Sequence, residues 1–355
     1  MDITSRSSIY SPLAHHDSFR LFCLAPSIDH AAPLQGILLD TTLSEFEADL
    51  ISSYTALSYV WGDQSQTSSI AIDGKETVIT ASLASALRDI RDTSRVANIW
   101  ADALCINQED IPERNRQVAL MGRIYSAATH TVIYLGALTP EAETVLHSVR
   151  RRGSAIMNQK AEHKEIVSMA KRSILSRPWF TRVWILQELV LSADPWIQLG
   201  DVRLRWIDFC AFLLSPGPVA PSGYGLEESD DEMDPKSSDP AIEMLKMMNK
   251  ARSQHESRCL FDLLRARRGM GASDPRDVVY AHLGVASSAD GWSRNVCIDY
   301  NQPLAHVYTS AARYILSLFP VGGRADGIDV LMDCLEDVDL DTERQGLPSW
   351  VPDWT

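Results

Sequence analysis

Three stretches of the chain are almost uninterrupted in apolar and small residues. Tyr54 to Trp61 (YTALSYVW) stops at Gly62-Asp63, Val96 to Ala103 (VANIWADA) is followed by Leu-Cys-Ile-Asn-Gln, and Thr131 to Leu135 (TVIYL) stops at Gly136. Runs without polar alternation predict strands buried on both faces. Between them the period turns helical. Leu83, Ala86, Leu87 and Ile90 repeat at helical spacing behind Ser82, the expected cap. Val118, Met121, Ile124 and Tyr125 share one face of a helix opened by Asp110, Pro112 and Glu113, which have the form of a capping box. Ile70 to Ile72 and Val78-Ile79, separated by Asp73-Gly74, predict a hairpin, since Asp-Gly tolerates positive φ. A charged helical stretch over 140–176 is broken at Arg177-Pro178, and a helix is expected over Phe180 to Leu191. Strand and helix alternate through 54–191, which predicts the α/β class: a mainly parallel sheet with helices on both faces.

Outside that stretch the patterns are shorter. Ser18 to Leu24 predicts a strand and Leu43 to Leu50 a short helix. Residues 215–240 are rich in Pro, Gly and Ser and then carry seven acidic side chains against the single base Lys236, which predicts a solvated loop or linker. Helical spacing returns in Ala241 to Asn249, Ser257 to Arg268 and Leu304 to Leu318; Asp277 to Leu283 is a further apolar run. The Trp350 and Trp354 rings in the closing LPSWVPDWT are expected to dock that tail. The expected organisation is an N-terminal extension (1–51) packed on a core domain (52–200), a loop and acidic linker (201–240), and a mostly helical C-terminal region (241–355).

Composition narrows the chemistry. The formal net charge is −14 over 355 residues, which argues against a nucleic-acid partner. Six cysteines without a CxxC pair are expected as free thiols; Cys105, with no evident His partner, is expected as a buried thiol. No run reaches the ~18 apolar residues of a membrane span, and the first residues lack a secretory pattern, so a cytoplasmic location is expected. The histidines show no ligand spacing, and no metal or cofactor is expected. No GxGxxG, P-loop or GxSxG motif occurs, so Ser58 in LSYVW is not read as a nucleophile.

Several ordered blocks resemble the fungal heterokaryon incompatibility (HET) domain. They are Tyr54 to Asp63 (YTALSYVWGD), Trp100 to Gln108 (WADALCINQ), then Glu113-Arg114, Gln117, Met121, Ile124-Tyr125 and Leu135-Gly136, and Arg177 to Glu188 (RPWFTRVWILQE). Ser273 to Asp277, Val279-Tyr280, Leu283-Gly284 and Leu347 to Trp354 are similar to the family's C-terminal companions. The resemblance implies a fungal source and a role in self/non-self recognition that triggers regulated cell death, with self-association on activation and an unidentified protein partner. The family has been likened to the Toll/interleukin-receptor (TIR) domain, a flavodoxin-like sheet. Trp184-Ile-Leu-Gln-Glu188-Leu is similar to the TIR pattern in which the glutamate of NAD+-cleaving members is catalytic.

The resemblance therefore makes Glu188 the candidate catalytic residue, with NAD+ as substrate. A carboxylate beside the ribose could stabilise the oxocarbenium-like ion that forms as nicotinamide leaves. The plain alternative is a Glu188 paired with Arg182 and holding the fold. Asp102 and Asn107 follow the second strand, where open α/β sheets bind ligands, but Asp, Asn and Gln there also build turns, the reading favoured for Gln108. Trp61 could stack on a ring and Gly62 could admit a ligand, beside Asp63 and Trp184 as further substrate-binding candidates; Trp61 could equally be core. Two function classes stay open: an NAD+-hydrolysing effector, and a non-catalytic signalling or oligomerisation module of the same pathway. An enzyme of unrelated chemistry on the same scaffold ranks below both.

Overall fold

The computed structural model describes residues 9–48, 53–151, 160–215, 239–253, 259–286, 292, 296–318, 346–348 and 350–354. Its centre is one nine-stranded mixed sheet. In chain order the elements are β1 (Ser18–Leu24), β2 (Gln35–Thr42), α1 (Leu43–Glu47), β3 (Thr55–Tyr59), β4 (Thr67–Ile72), β5 (Lys75–Thr80), α2 (Ala81–Ile90), β6 (Ala97–Trp100), α3 (Asp102–Cys105), α4 (Ile111–Ala127) and β7 (His130–Tyr134). Then come α5 (Pro140–Arg151), α6 (Lys160–Ala170), a π-helical turn (Lys171–Leu175), a 3-10 turn (Pro178–Thr181), α7 (Ile185–Val190), β8 (Pro195–Leu199), β9 (Val202–Arg205) and α8 (Trp206–Leu213). The C-terminal region adds α9 (Pro240–Ser253), α10 (Leu260–Ala266), α11 (Asp277–Leu283) and α12 (Leu304–Leu318).

The strand order is β5-β4-β2-β1-β6-β3-β7-β8-β9. β6, β3, β7 and β8 run parallel as neighbours, and these are the continuous apolar runs plus β8. Counted along the chain, this core has the order 2-1-3-4 of the flavodoxin-like arrangement. β3 to β6 moves one way along the sheet and β6 to β7 the other, so right-handed crossovers place α2 and α4 on opposite faces. Tyr134 donates its hydroxyl to Asp89 of α2 at 2.7 Å, while the adjacent Ile133 packs in the other core cluster with α5 and α7, and α7 reaches α4 through Gln187 and Gly122. Antiparallel strands flank the core: β1–β2 beside β6, and β9 beside β8.

Some expectations are corrected. The N-terminal segment does more than pack on the core, because β1 and β2 extend the sheet. Residues 201–215, expected as loop, hold β9 and α8; Trp206, Phe209 and Phe212 are buried there. The loop expected over 215–240 lies, across 216–238, outside the described residues. Thr80 rather than Ser82 caps α2, because the cap must sit where the β5 backbone is still extended; Ser82 instead donates to the Val60 carbonyl. Asp110 caps α4, but no reciprocal box forms. The Glu113 carboxylate is drawn to Arg20 of β1, which binds it bidentately at 2.6 and 2.9 Å, and to the Asn107 amide at 2.8 Å. The tail is anchored at one ring: Trp354 is 1% exposed and Arg268 donates to the Asp353 carbonyl, whereas Trp350 is 39% exposed.

Candidate functional site at the carboxyl edge of the parallel strands

β3 ends at Tyr59 and delivers Trp61; β6 ends at Trp100 and delivers Asp102, the first residue of α3. Gly62 turns the chain away with φ +75°, and a Cβ there would meet Ser82 at 3.1 Å. Trp184 immediately precedes α7. These three side chains line one cleft of about 70 Å³, shared with Gln108, Arg114, Asp277 and Tyr300. The edge is the one where open α/β sheets take ligands. Its far wall comes from the C-terminal region, through the first residue of α11 and the segment before α12.

The electrostatics are those of two acids around one arginine, with a third acid apart. The Trp61 indole donates to Asp102 at 2.8 Å, and the Ala103 amide to the same carboxylate at 2.7 Å. Arg182 reaches both oxygens of Glu188, at 3.3 and 3.4 Å. Ser58 donates to Glu188 and itself accepts from the buried Trp179 indole at 2.7 Å. Burial pushes the Glu188 carboxyl above its ordinary pKa; Arg182 and the Ser58 bond pull it down, and nearby Asp102 adds to the rise. Burial likewise raises Asp102 against the pull of Arg182. Burial opposes the Arg182 charge, but Glu188 and Asp102 together outweigh it and raise its pKa. Asp277 is pushed up to about 6, chiefly by burial, although Tyr300 donates to it at 2.6 Å. Arg114 lies over the Tyr300 ring at 3.6 Å.

The structure brings Trp61, Asp102 and Trp184 together in the cleft, and not the other candidates. Glu188 is 2% exposed and does not line it. Asp63 faces outward and closes a local turn, accepting from the Ser65 amide and hydroxyl. Asn107 also serves a turn, accepting from Glu109. Gln108 both lines the cleft and donates to the Asp102 carbonyl at 3.1 Å. Arg114, Asp277 and Tyr300 escaped the sequence reading as site residues; an acid at the head of an apolar run, Asp277 before VVYAHL, was the available signal. Cys105 is a buried thiol with its pKa pushed up to about 12 by burial. Among the described residues no cluster of three His, Cys, Asp or Glu side chains could hold a metal, and no helix is long and apolar enough to cross a membrane.

Comparison with known proteins agrees with the sequence blocks. The family model described as heterokaryon incompatibility protein (HET) matches residues 54–188, from the residue before β3 to Glu188. Heterokaryon incompatibility protein 6, OR allele, of Neurospora crassa is 26% identical over 365 aligned positions, covering 85% of this chain and 53% of that protein. The chain thus spans about half the length of this curated relative. No solved structure matches. The site residues Trp61, Asp102, Arg182, Trp184 and Glu188 all fall within residues 54–188, the stretch that matches the heterokaryon incompatibility (HET) family model.

Proposed function

We propose that the chain is an effector of heterokaryon incompatibility, acting in self/non-self recognition to trigger regulated cell death, and that its HET domain is a non-catalytic signalling module standing here in a closed form. The role is supported by the family match and by the likeness to the Neurospora protein. The closed form rests on one observation: Glu188 is sealed between Arg182 and Ser58, outside the cleft. Opening requires Arg182 or Trp184 to move, and self-association is the event that would drive it. On this reading Glu188 is a positioning partner of Arg182.

A second reading, TIR-like hydrolysis of NAD+ to nicotinamide and ADP-ribose products, is favoured by a different observation. Asp102 and Glu188 share Arg182, so a shift of that guanidinium would turn a buried carboxylate toward a cleft already walled by Trp61 and Trp184. The cleft of about 70 Å³ holds no dinucleotide as it stands. Incubating purified protein with NAD+, dilute and concentrated, while following nicotinamide release decides between the two. Release by wild type and its loss in Glu188→Gln of unchanged fold supports hydrolysis. No release at any concentration, with cell death on expression retained, supports the signalling reading. Retention of cell death with both the cleft and the Arg182 pair destroyed would sink both.

A further inference from the structure

A second cleft, of about 320 Å³, opens where the chain leaves β7, and its walls hold Arg172, Arg177, Thr139, Glu141 and Met169. We propose that it binds a phosphate monoester through Arg172, Arg177 and Thr139. The inference does not depend on the functional reading above. Its walls are built by an unusual piece of backbone. The π-helical turn Lys171–Leu175, in which the Ser176 amide donates to the Lys171 carbonyl at 3.1 Å, widens the helix end. Such turns are rare and recur at functional sites. Here the turn places Arg172 on the cleft wall and lets the Ser173 carbonyl accept from Arg177 Nε at 2.9 Å.

Arg177 is held rigidly. Its Nη1 and Nη2 donate to the Leu135 and Ala137 carbonyls at 3.2 and 3.1 Å, so three of the guanidinium's five N–H groups are used. The remaining two are available to an anion. Arg172 donates to Ser168 at 2.6 Å, and its Nη2 is 3.6 Å from Glu165, leaving Nε uncommitted. The Thr139 hydroxyl accepts from the Ala142 amide at 3.3 Å, and its own hydrogen has no acceptor among the described residues. Three donor groups from two segments suit the three terminal oxygens of a monoester, and guanidinium groups match phosphate in geometry as well as charge. Glu141 and, beside Arg172, Glu165 balance the two cations, so the anion is held by directed N–H and O–H donors rather than by an excess of positive charge. Met169 supplies an apolar wall for the esterified group, which a bare phosphate would leave uncovered.

The test is calorimetric titration of the full chain with inorganic phosphate and with adenosine monophosphate at low and high salt. Saturable binding of the monoester, tighter than that of phosphate and weakened by salt, is expected. Arg172 is exposed, so Arg172→Ala should fold normally and weaken binding about tenfold. Glu141→Gln removes the opposing charge and should tighten it by about two- to fivefold. Phosphate binding as tightly as the monoester would overturn the assigned ligand class. Absence of saturable binding, or affinities unmoved by both substitutions, would overturn the site. Unchanged melting temperatures of the variants exclude misfolding as the cause of weakened binding.

Discussion

The decisive side chain is Arg182. It is the cation held against Glu188 and felt by Asp102, and its removal would strand a buried carboxylate. Arg182→Met should lower unfolding free energy by about 3–5 kcal/mol in urea denaturation. Glu188→Gln, which keeps an oxygen for Ser58, should cost about 1–3 kcal/mol. If the pair is structural, the double substitution should recover part of the Arg182→Met loss; strict additivity would mean the two side chains do not act together. Asp277 provides a pH readout. Its folded carboxyl titrates at about 6 instead of the ordinary 3.8, so the folded chain holds that proton more tightly than the unfolded chain. Its contribution is therefore fully present below pH 3.8 and is lost as pH rises through about 6. Asp277→Asn should remove about 2–3 kcal/mol of that decline, measured as the difference in unfolding free energy between about pH 4 and about pH 7.

Among the elements, α7 is the one whose setting differs most from the expected helix over Phe180 to Leu191. Only Ile185–Val190 is α-helical, after a 3-10 turn at Pro178–Thr181. The reason lies in the C-terminal region. Gly271 donates to the Thr181 carbonyl at 2.6 Å and accepts from the Val183 amide at 3.0 Å, and Arg267 donates to the Arg182 carbonyl at 3.0 Å. That pairing holds Arg182 extended, at φ −78° and ψ 143°, and a helix cannot start until it ends. On its other side α7 packs Gln187 into α11 and α4. With its amide oriented to satisfy both neighbours, Gln187 donates to the Ala281 carbonyl and accepts from the Gly122 amide. A Cβ at Gly284 would lie 2.6 Å from the Gln187 side chain, which is itself buried and has nowhere to go. Gly284→Ala should destabilise by about 1–3 kcal/mol and raise hydrogen exchange first in the α7 amides. Unchanged exchange there would show that α11 does not hold the Glu188 helix.

At the level of the whole molecule, the matched stretch 54–188 is not a folding unit by the measure of its sheet. It excludes β1, which pairs with β6, and β8, which pairs with β7, so the excised stretch would expose both edges of a three-strand parallel core. It also lacks the α11 cover of α7. Residues 54–188 expressed alone should therefore lack native near-UV circular dichroism and bind a hydrophobic dye, whereas the full chain should show neither defect. A cooperative thermal transition of the fragment would refute this. The same dependence makes the cleft a joint product of two regions, since Asp277 and Tyr300 face Trp61 and Asp102 across it.

The amino-acid sequence alone determined three strands of the parallel core (β3, β6 and β7), the β4–β5 hairpin and the helices α4 and α12, because each is declared by local means. A strand buried on both faces must be continuously apolar, Asp73-Gly74 supplies the two positive φ values of its turn, and helical faces repeat within a few residues. It also named Trp61, Asp102 and Trp184, which the fold brings to one cleft at the carboxyl edge of the parallel strands. β2, β8 and β9 stayed hidden: β8 and β9 are short, and β2 mixes exposed apolar Ile37 and Leu39 with a buried Thr41, so its alternation marks no clean face. Only the tertiary structure decided what Glu188 meets. Its partner Ser58 lies 130 residues earlier, and the Gly271 that holds Arg182 lies far beyond it in the chain. Periodicity shows that a carboxylate will be buried; which charge meets it there is set by long-range packing, and that choice separates a sealed ion pair from a group open to the cleft.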